Sequence, residues 1–207
     1  MLEATAVVLA GGKSTRMGRD KALIRVTENR MLEGVVKVLA PEFPEIIISS
    51  NASSHNIPGT RIIPDTVFGQ GPLGGIYTCL KDSGHQVNFV VACDMPFIES
   101  RLAVHLVSLA PGYDAVIPRM GGHYQPLFAV YTKKCLPAIE TSLNNGRNRI
   151  VSFYSKINSR FVGPDEIRQF GDLDMMFFNV NTPGDLNIAQ KMALHAPQIT
   201  VQEEADE

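Results

Sequence analysis

The sequence predicts a doubly wound α/β fold: a mostly parallel sheet with helices on both faces and a small antiparallel element in the second half. Three observations predict it. Short runs at residues 6–9, 46–48 and 87–93 are apolar at every or nearly every position, the pattern of strands buried on both faces of a parallel sheet. Segments with helical spacing fall between them, so that strands and helices alternate through the first half. The alternation then stops: two apolar stretches flank Met120-Gly121-Gly122-His123, a tight antiparallel turn.

The first strand, residues 6–9, runs into Gly11-Gly12 and a loop carrying Lys13, Arg16, Gly18 and Lys21. At the carboxyl end of a parallel strand, such a loop delivers backbone N–H groups and cations to the place where open α/β sheets bind ligands. A phosphate chain fits this loop; an ordinary strand-to-helix turn is the alternative. It is not a P-loop, whose first glycine would fall at Val7, and not a dinucleotide fingerprint, because Gly11 and Gly12 are adjacent. Residues 22–26 are a short apolar stretch. Residues 31–40 have helical spacing, with Met31, Leu32, Val35, Val36 and Leu39 on one face and Pro41 as the stop.

Residues 45–50 form the second strand, which ends at Asn51, a position suited to turn chemistry or to a ligand contact. Residues 61–63 form the third strand. Asp65 follows it, placed either to bind a ribose or base or to cap a turn. Pro72 suits the first turn of a helix through residue 83. The strongest strand, residues 87–93, ends at Asp94. A carboxylate at the carboxyl end of a central strand is costly without a cation or hydrogen-bond partner. Pro96 and Phe97 separate Asp94 from the helix of residues 99–109, so it stands too early for a simple N-cap, and Mg2+ ligation is the better reading.

In the second half, residues 113–118 and 125–131 read as strands paired across the glycine turn. Residues 132–143 read as a helix weakened by Pro137, and residues 160–163 as a short strand. An irregular segment follows at 165–174, then a last strand at 176–180. Thr182, Pro183 and Asp185 start a closing helix. Residues 1–196 are expected to form one domain, and the acidic residues 197–207, which lack core side chains, a disordered tail.

The 207 residues are 44% hydrophobic, enough for a sizeable core, and the formal net charge of −2 argues against nonspecific nucleic-acid binding. Cys79, Cys93 and Cys135 form no C-x-x-C pair, which disfavours a zinc site or a disulfide framework. No apolar run approaches membrane-spanning length and no signal peptide is visible, so a soluble cytoplasmic protein is expected. No Ser-His-Asp or Cys-His set is legible. Polar groups do stand at successive strand ends: the Gly11-Gly12 loop with Lys21, Asn51, Asp65 and Asp94. Together they describe a nucleoside triphosphate site.

These residues also resemble a known family. Leu9-Ala10-Gly11-Gly12-x-Ser14-x-Arg16-Met17-Gly18-x-Asp20-Lys21 is similar to the signature loop of the molybdenum cofactor guanylyltransferases, a branch of the Rossmann-like nucleotidyltransferases. The similarity continues through residues 71–75, 93–96 and 178–183, and is less clear over residues 111–174, which would line the acceptor site. The resemblance implies that GTP and the molybdopterin form of the cofactor react, with Mg2+, to give the guanine dinucleotide cofactor and pyrophosphate. It implies that Leu9, Ala10, Gly11 and Gly12 hold the nucleotide by backbone contacts. Lys21 would bind phosphates, assisted by Arg16; Asn51 and Asp65 would bind the nucleoside, and Asp94 would bind Mg2+. Asn181, or Asn179, would complete the metal or acceptor site. Arg147, Arg149 and His123 are further acceptor candidates, each weighed against a plain surface loop. Other cofactor-biosynthesis proteins and acceptor apo-enzymes are implied partners. A cytidylyl or sugar-nucleotide transferase and a non-catalytic escort of the cofactor are the alternatives. By resemblance the glycine pair favours GTP over CTP, and intact Lys21 and Asp94 argue against a silent protein.

Overall fold

The computed structural model describes residues 2–11, 20–65 and 70–195. Gly12, Lys13, Arg16 and Gly18, and the acidic tail from residue 197, lie outside them. The strands are β1 (Ala4–Leu9), β2 (Glu45–Ser49), β3 (Arg61–Ile63), β4 (Val87–Ala92), β5 (Ala115–Met120), β6 (His123–Tyr124), β7 (Phe128–Thr132) and β8 (Ser159–Val162). The α-helices are α1 (Met31–Leu39), α2 (Gly71–Asp82), α3 (Ser100–Ser108), α4 (Leu136–Asn144), α5 (Pro164–Ile167), α6 (Leu173–Met176) and α7 (Pro183–His195). The strands are ordered β3-β2-β1-β4-β7-β5-β6, with β8 beside β5. β3, β2, β1 and β4 are mutually parallel, β7 is antiparallel to both β4 and β5, and β8 is parallel to β5. This is the mostly parallel, two-sided sheet that the sequence predicts.

The period of two along each strand sorts side chains into two cores. Ala4, Ala6 and Val8 of β1 join Ile48, Phe89 and Val91 under α1 and α3. Val7 and Leu9 join Ile47 and Val90 under α2 and α4, with Tyr131, Ile139 and Phe153. α2 comes so close to the sheet that a Cβ on Gly75 would stand 2.8 Å from Ser49 Oγ and 3.6 Å from Leu9 Cδ2. Gly75→Ala is therefore expected to destabilise the protein by about 1–3 kcal/mol, as overpacking does. A urea melt showing no loss would refute that close approach.

At the amino edge, Glu45 accepts hydrogen bonds from Thr5 Oγ1 (2.5 Å) and Gly84 N (2.8 Å) and pairs with Arg61. Burial pushes its carboxyl up, but the Thr5 and Gly84 donors, Arg61 and His85 outweigh it, and the pKa falls below the ordinary 4.5. A depressed folded pKa contributes stability that is present above 4.5 and is lost as pH falls through the lower folded value. Glu45→Gln is expected to cost about 1–3 kcal/mol at pH 7 and to lose less than the parent on acidification, as read by denaturant midpoints from pH 7 to pH 3.

The second half departs from expectation in four places. Ala115 and Val116 do pair antiparallel with Tyr131 and Val130 as expected, but the turn at Gly121 and Gly122, at φ 53° and 83°, first closes on the two-residue β6 (Met120↔His123, Arg119↔Tyr124). The chain breaks at Gln125-Pro126, where proline has no N–H to give a ladder, before β7 begins. Pro137 does not weaken a helix begun at 132. Residues Lys133–Cys135 are 3-10, and the α-helix starts at Leu136 with proline in its first turn. Residues 165–174 are not irregular: they contain α5, a 3-10 turn at Arg168–Phe170 and the start of α6, where Asp172 caps Met175 N at 2.9 Å. The last strand does not exist. α6 ends at Met176, and Phe177 and Val180 then bury themselves in two different clusters, so the segment crosses the sheet edge instead of joining it.

Candidate active site

β1 to β4 run in one direction, so their carboxyl ends share one edge. The chain winds outward from β1 to β3 and then returns to place β4 on the other side of β1. That reversal is a topological switch point, where a crevice opens between neighbouring strand ends. Gly11 follows β1 and Asp94 follows β4 on its two sides. Asn51 follows β2 and Asp65 follows β3, and Asn51 Oδ1 accepts from Asp65 N at 3.0 Å. Beside them Ser50, Asn51, Ala52, Ser53, Asn56, Ile62 and Pro64 line an open groove of about 440 Å³.

Lys21 opens a 3-10 turn, Lys21–Leu23, whose cap is Asp20: its Oδ1 accepts from Ala22 N at 3.1 Å. The chain just beyond is anchored by a small third cluster in which Ile24, Val26 and Met31 pack with Val180 and Ala189. This cluster explains how Lys21 meets a residue 160 positions away. Lys21 Nζ donates to Asn181 Oδ1 at 2.7 Å and lies 3.5 Å from Asp94 Oδ2. Val180 N donates to the Asp94 carbonyl at 2.9 Å, which brings the Asn181 segment to the end of β4. Asp185 Oδ2 accepts from Asn181 N and Thr182 N, and Thr182 Oγ1 accepts from Asp185 N. The Asn181 N–H, then the Thr182 hydroxyl, hold the Asp185 carboxyl below its usual range. Asn179 instead turns its amide to Phe177 O at 2.8 Å, so Asn181 is the asparagine that meets Lys21.

Burial pushes the Asp94 carboxyl up, and Lys21 offsets this only in part. A partly buried carboxylate whose desolvation is incompletely compensated is suited to a further cation. The donor set suits a hard divalent cation: Asp94 and Asn181 both present oxygens beside Lys21 Nζ. Among the described residues no group of three or more His, Cys, Asp or Glu gathers to hold a metal. Mg2+ is commonly bound by one or two carboxylates with substrate phosphates and water filling the remaining positions.

The structure also assembles three side chains that the sequence leaves unconnected. Ser50 Oγ and His55 Nδ1 are 2.6 Å apart, and His55 Nε2 and Asp20 Oδ2 are 2.7 Å apart. Ser50 follows β2, His55 belongs to the 3-10 turn Ser53–His55, and Asp20 precedes Lys21. No spacing rule connects position 20 to position 55, and only the fold does so.

The remaining candidates lie at the periphery. His123 is exposed on the hairpin extending β5, which runs parallel to β4 and so projects from the same edge. Arg147 and Arg149 are exposed in the turn after α4, where Arg147 N donates to Ser142 O at 2.8 Å. None of the three makes the hydrogen bonds that bind Lys21, Asp94 and Asn181 together. Leu9 and Ala10 are buried, and the Ala10 N–H is committed to Ser49 O at 3.1 Å. Cys79, Cys93 and Cys135 are buried and free, and burial pushes each thiol up to about 12, which removes them as nucleophiles. Among the described residues no helix is long and apolar enough to cross a membrane.

Comparison with known proteins shows what the chain is similar to. The family model described as the MobA-like NTP transferase domain matches residues 6–158. A probable molybdenum cofactor guanylyltransferase of Pelotomaculum thermopropionicum is 44% identical over 194 residues, 93% of this chain and 95% of its own. One from Carboxydothermus hydrogenoformans is 30% identical, over 89% and 94% of the two chains. The crystal structure of molybdopterin-guanine dinucleotide biosynthesis protein A from Archaeoglobus fulgidus superposes with a TM-score of 0.80. It is 26% identical and covers 92% of this chain and 98% of its own.

Proposed function

The chain belongs to the MobA-like NTP transferase family, and on that premise we propose that it transfers GMP from GTP to the molybdopterin form of the molybdenum cofactor. The products are the guanine dinucleotide cofactor and pyrophosphate. The observation that carries the reading is the Lys21–Asp94–Asn181 cluster at the switch point between β1 and β4. The named relatives support the choice of guanine nucleotide and of pterin acceptor.

In this reading the nucleophile is a terminal phosphate of the pterin. It is ionised at neutral pH, so no strong general base is needed, and catalysis consists of positioning and charge neutralisation at the α-phosphorus. Lys21 binds the phosphates, joined by Arg16 from the first loop. Asn51 and Asp65, already hydrogen-bonded to each other, take the nucleoside. Leu9, Ala10, Gly11 and Gly12 hold the nucleotide by backbone contacts, although the Ala10 N–H is spent on Ser49 O. Asp94, with Asn181 as a second oxygen, would hold Mg2+, which would supply charge neutralisation at the triphosphate. Arg147, Arg149, His123 and Asn181 are the residues we assign to the anionic acceptor. The reaction belongs in the cytoplasm, where GTP is available, with other cofactor-biosynthesis proteins and acceptor apo-enzymes as partners and neither nucleic acid nor membrane among them.

The test is pyrophosphate release by the purified protein. Release from GTP is expected only when Mg2+ and molybdenum-loaded pterin are both present. Equal turnover with CTP overturns the guanylyl assignment, and binding without turnover of any triphosphate identifies an escort instead.

A further inference from the structure

We propose that Ser50, His55 and Asp20 form a strut, buried at Ser50 and His55, that sets the position of Lys21 relative to the strand ends that receive the nucleoside, with His55 as a positioning residue. His55 is 2% exposed and Ser50 3%. Both imidazole nitrogens are engaged, at 2.6 Å and 2.7 Å. One protonation pattern satisfies every group: His55 Nε2–H donates to Asp20, the Ser50 hydroxyl donates to Nδ1, and Ser50 Oγ accepts from Ala52 N at 3.0 Å. The two ends of this chain are informative. Ser50 adjoins Asn51, which holds Asp65 N. Asp20 divides its carboxylate, with Oδ2 on His55 and Oδ1 on Ala22 N, inside the turn that begins at Lys21. Asp65, Asn51, Ser50, His55, Asp20, Lys21, Asn181 and Asp94 thus form one connected series, joining the nucleoside half of the edge to the phosphate half.

Two other roles fit less well. A nucleophilic serine needs access, whereas Ser50 is only 3% exposed and its oxygen already receives the Ala52 N–H. A role in packing alone requires no acid at the far end, yet the chain terminates on Asp20, whose side chain is 39% exposed. Burying a polar ring that is fully hydrogen-bonded gives direction, which an apolar side chain of similar size does not.

The strut rests on the proposed function only in its kinetic arm. In the full-length protein, His55→Leu is expected to speed hydrogen exchange at the amides of Ala22, Leu23 and Ile24 by about tenfold or more, with β1 and β4 amides unchanged. His55→Gln, whose amide still donates toward Asp20, is expected to recover most of that protection. With GTP, His55→Leu is expected to lower kcat by about tenfold to a hundredfold with KM within about threefold, yet to cost less than about twofold in a Lys21→Ala background. Unchanged exchange at residues 22–24, or equal losses with and without Lys21, overturns the proposal. If the wild-type protein turns over no GTP, the assigned function fails while the exchange measurement still decides the strut. If His55→Leu does not fold, Ser50→Ala breaks the chain at its other end, removing the hydroxyl that meets Nδ1 while leaving Asp20 on Ala22 N. The same exchange result is expected from it.

Discussion

Asp94→Ala is expected to abolish turnover, lowering kcat by about 10²–10³-fold or more, while the protein stays folded. The side chain is separable from the structure around it. The Asp94 carbonyl, not its carboxylate, holds Val180 N, and Lys21 keeps Asn181 as a partner when the carboxylate is gone. Burial already penalises the charged carboxyl, and Lys21 only partly offsets the penalty, so its removal carries little cost in stability. The expected pattern is an unchanged melting transition with lost activity and weakened dependence on Mg2+. Asp94→Asn, which keeps shape and one oxygen but removes the charge, should be nearly as inactive if charge is what matters. Retained activity in either variant would remove Asp94 from the metal role.

Lys21→Ala is the second large effect, about 10²–10³-fold in kcat. The loss has two sources. The phosphates lose their cation, and Asp94 loses the charge 3.5 Å away that draws its carboxyl down against burial. Lys21→Arg restores the charge but replaces a compact ammonium with a planar fork, which cannot reproduce a single short bond to Asn181 Oδ1 while facing Asp94. Partial recovery is therefore expected, well short of the parent. Steady-state kinetics on the three proteins tests the ordering; arginine equal to lysine would show that charge alone suffices. The outcome also bears on Lys13, outside the described residues, whose place after the glycine pair imitates a P-loop and which this reading makes dispensable.

Much of the fold was legible because its signals are local. The isoleucines at 46–48 and the run at 87–93 are apolar on both faces, and only a strand covered on two sides uses such a run. Pro72 and Pro183 mark helix starts because a missing N–H costs nothing in a first turn. The carboxyl-edge convergence of Gly11, Asn51, Asp65 and Asp94 follows from parallel alternation alone. The misreadings have an equally physical cause. Residues 176–180 look like a strand because they are apolar, but Phe177 and Val180 serve separate clusters, and apolarity does not say where a side chain is buried. Residues 125–131 look like one strand, but Pro126 has no N–H to give a ladder, so β7 begins only at Phe128.

By itself the sequence determined the alternating α/β architecture, the loop after the first strand and the set of polar residues at the strand ends. Each of these is written in period, composition or turn chemistry over a few neighbouring residues. Only the tertiary structure decided which of those residues meet. It chose Asn181 over Asn179, brought both Lys21 and the Asn181 segment to Asp94, and joined Ser50 and His55 to Asp20. The physical reason is distance along the chain: contacts spanning 160 and 35 positions are set by how the apolar clusters close, and no local pattern encodes them.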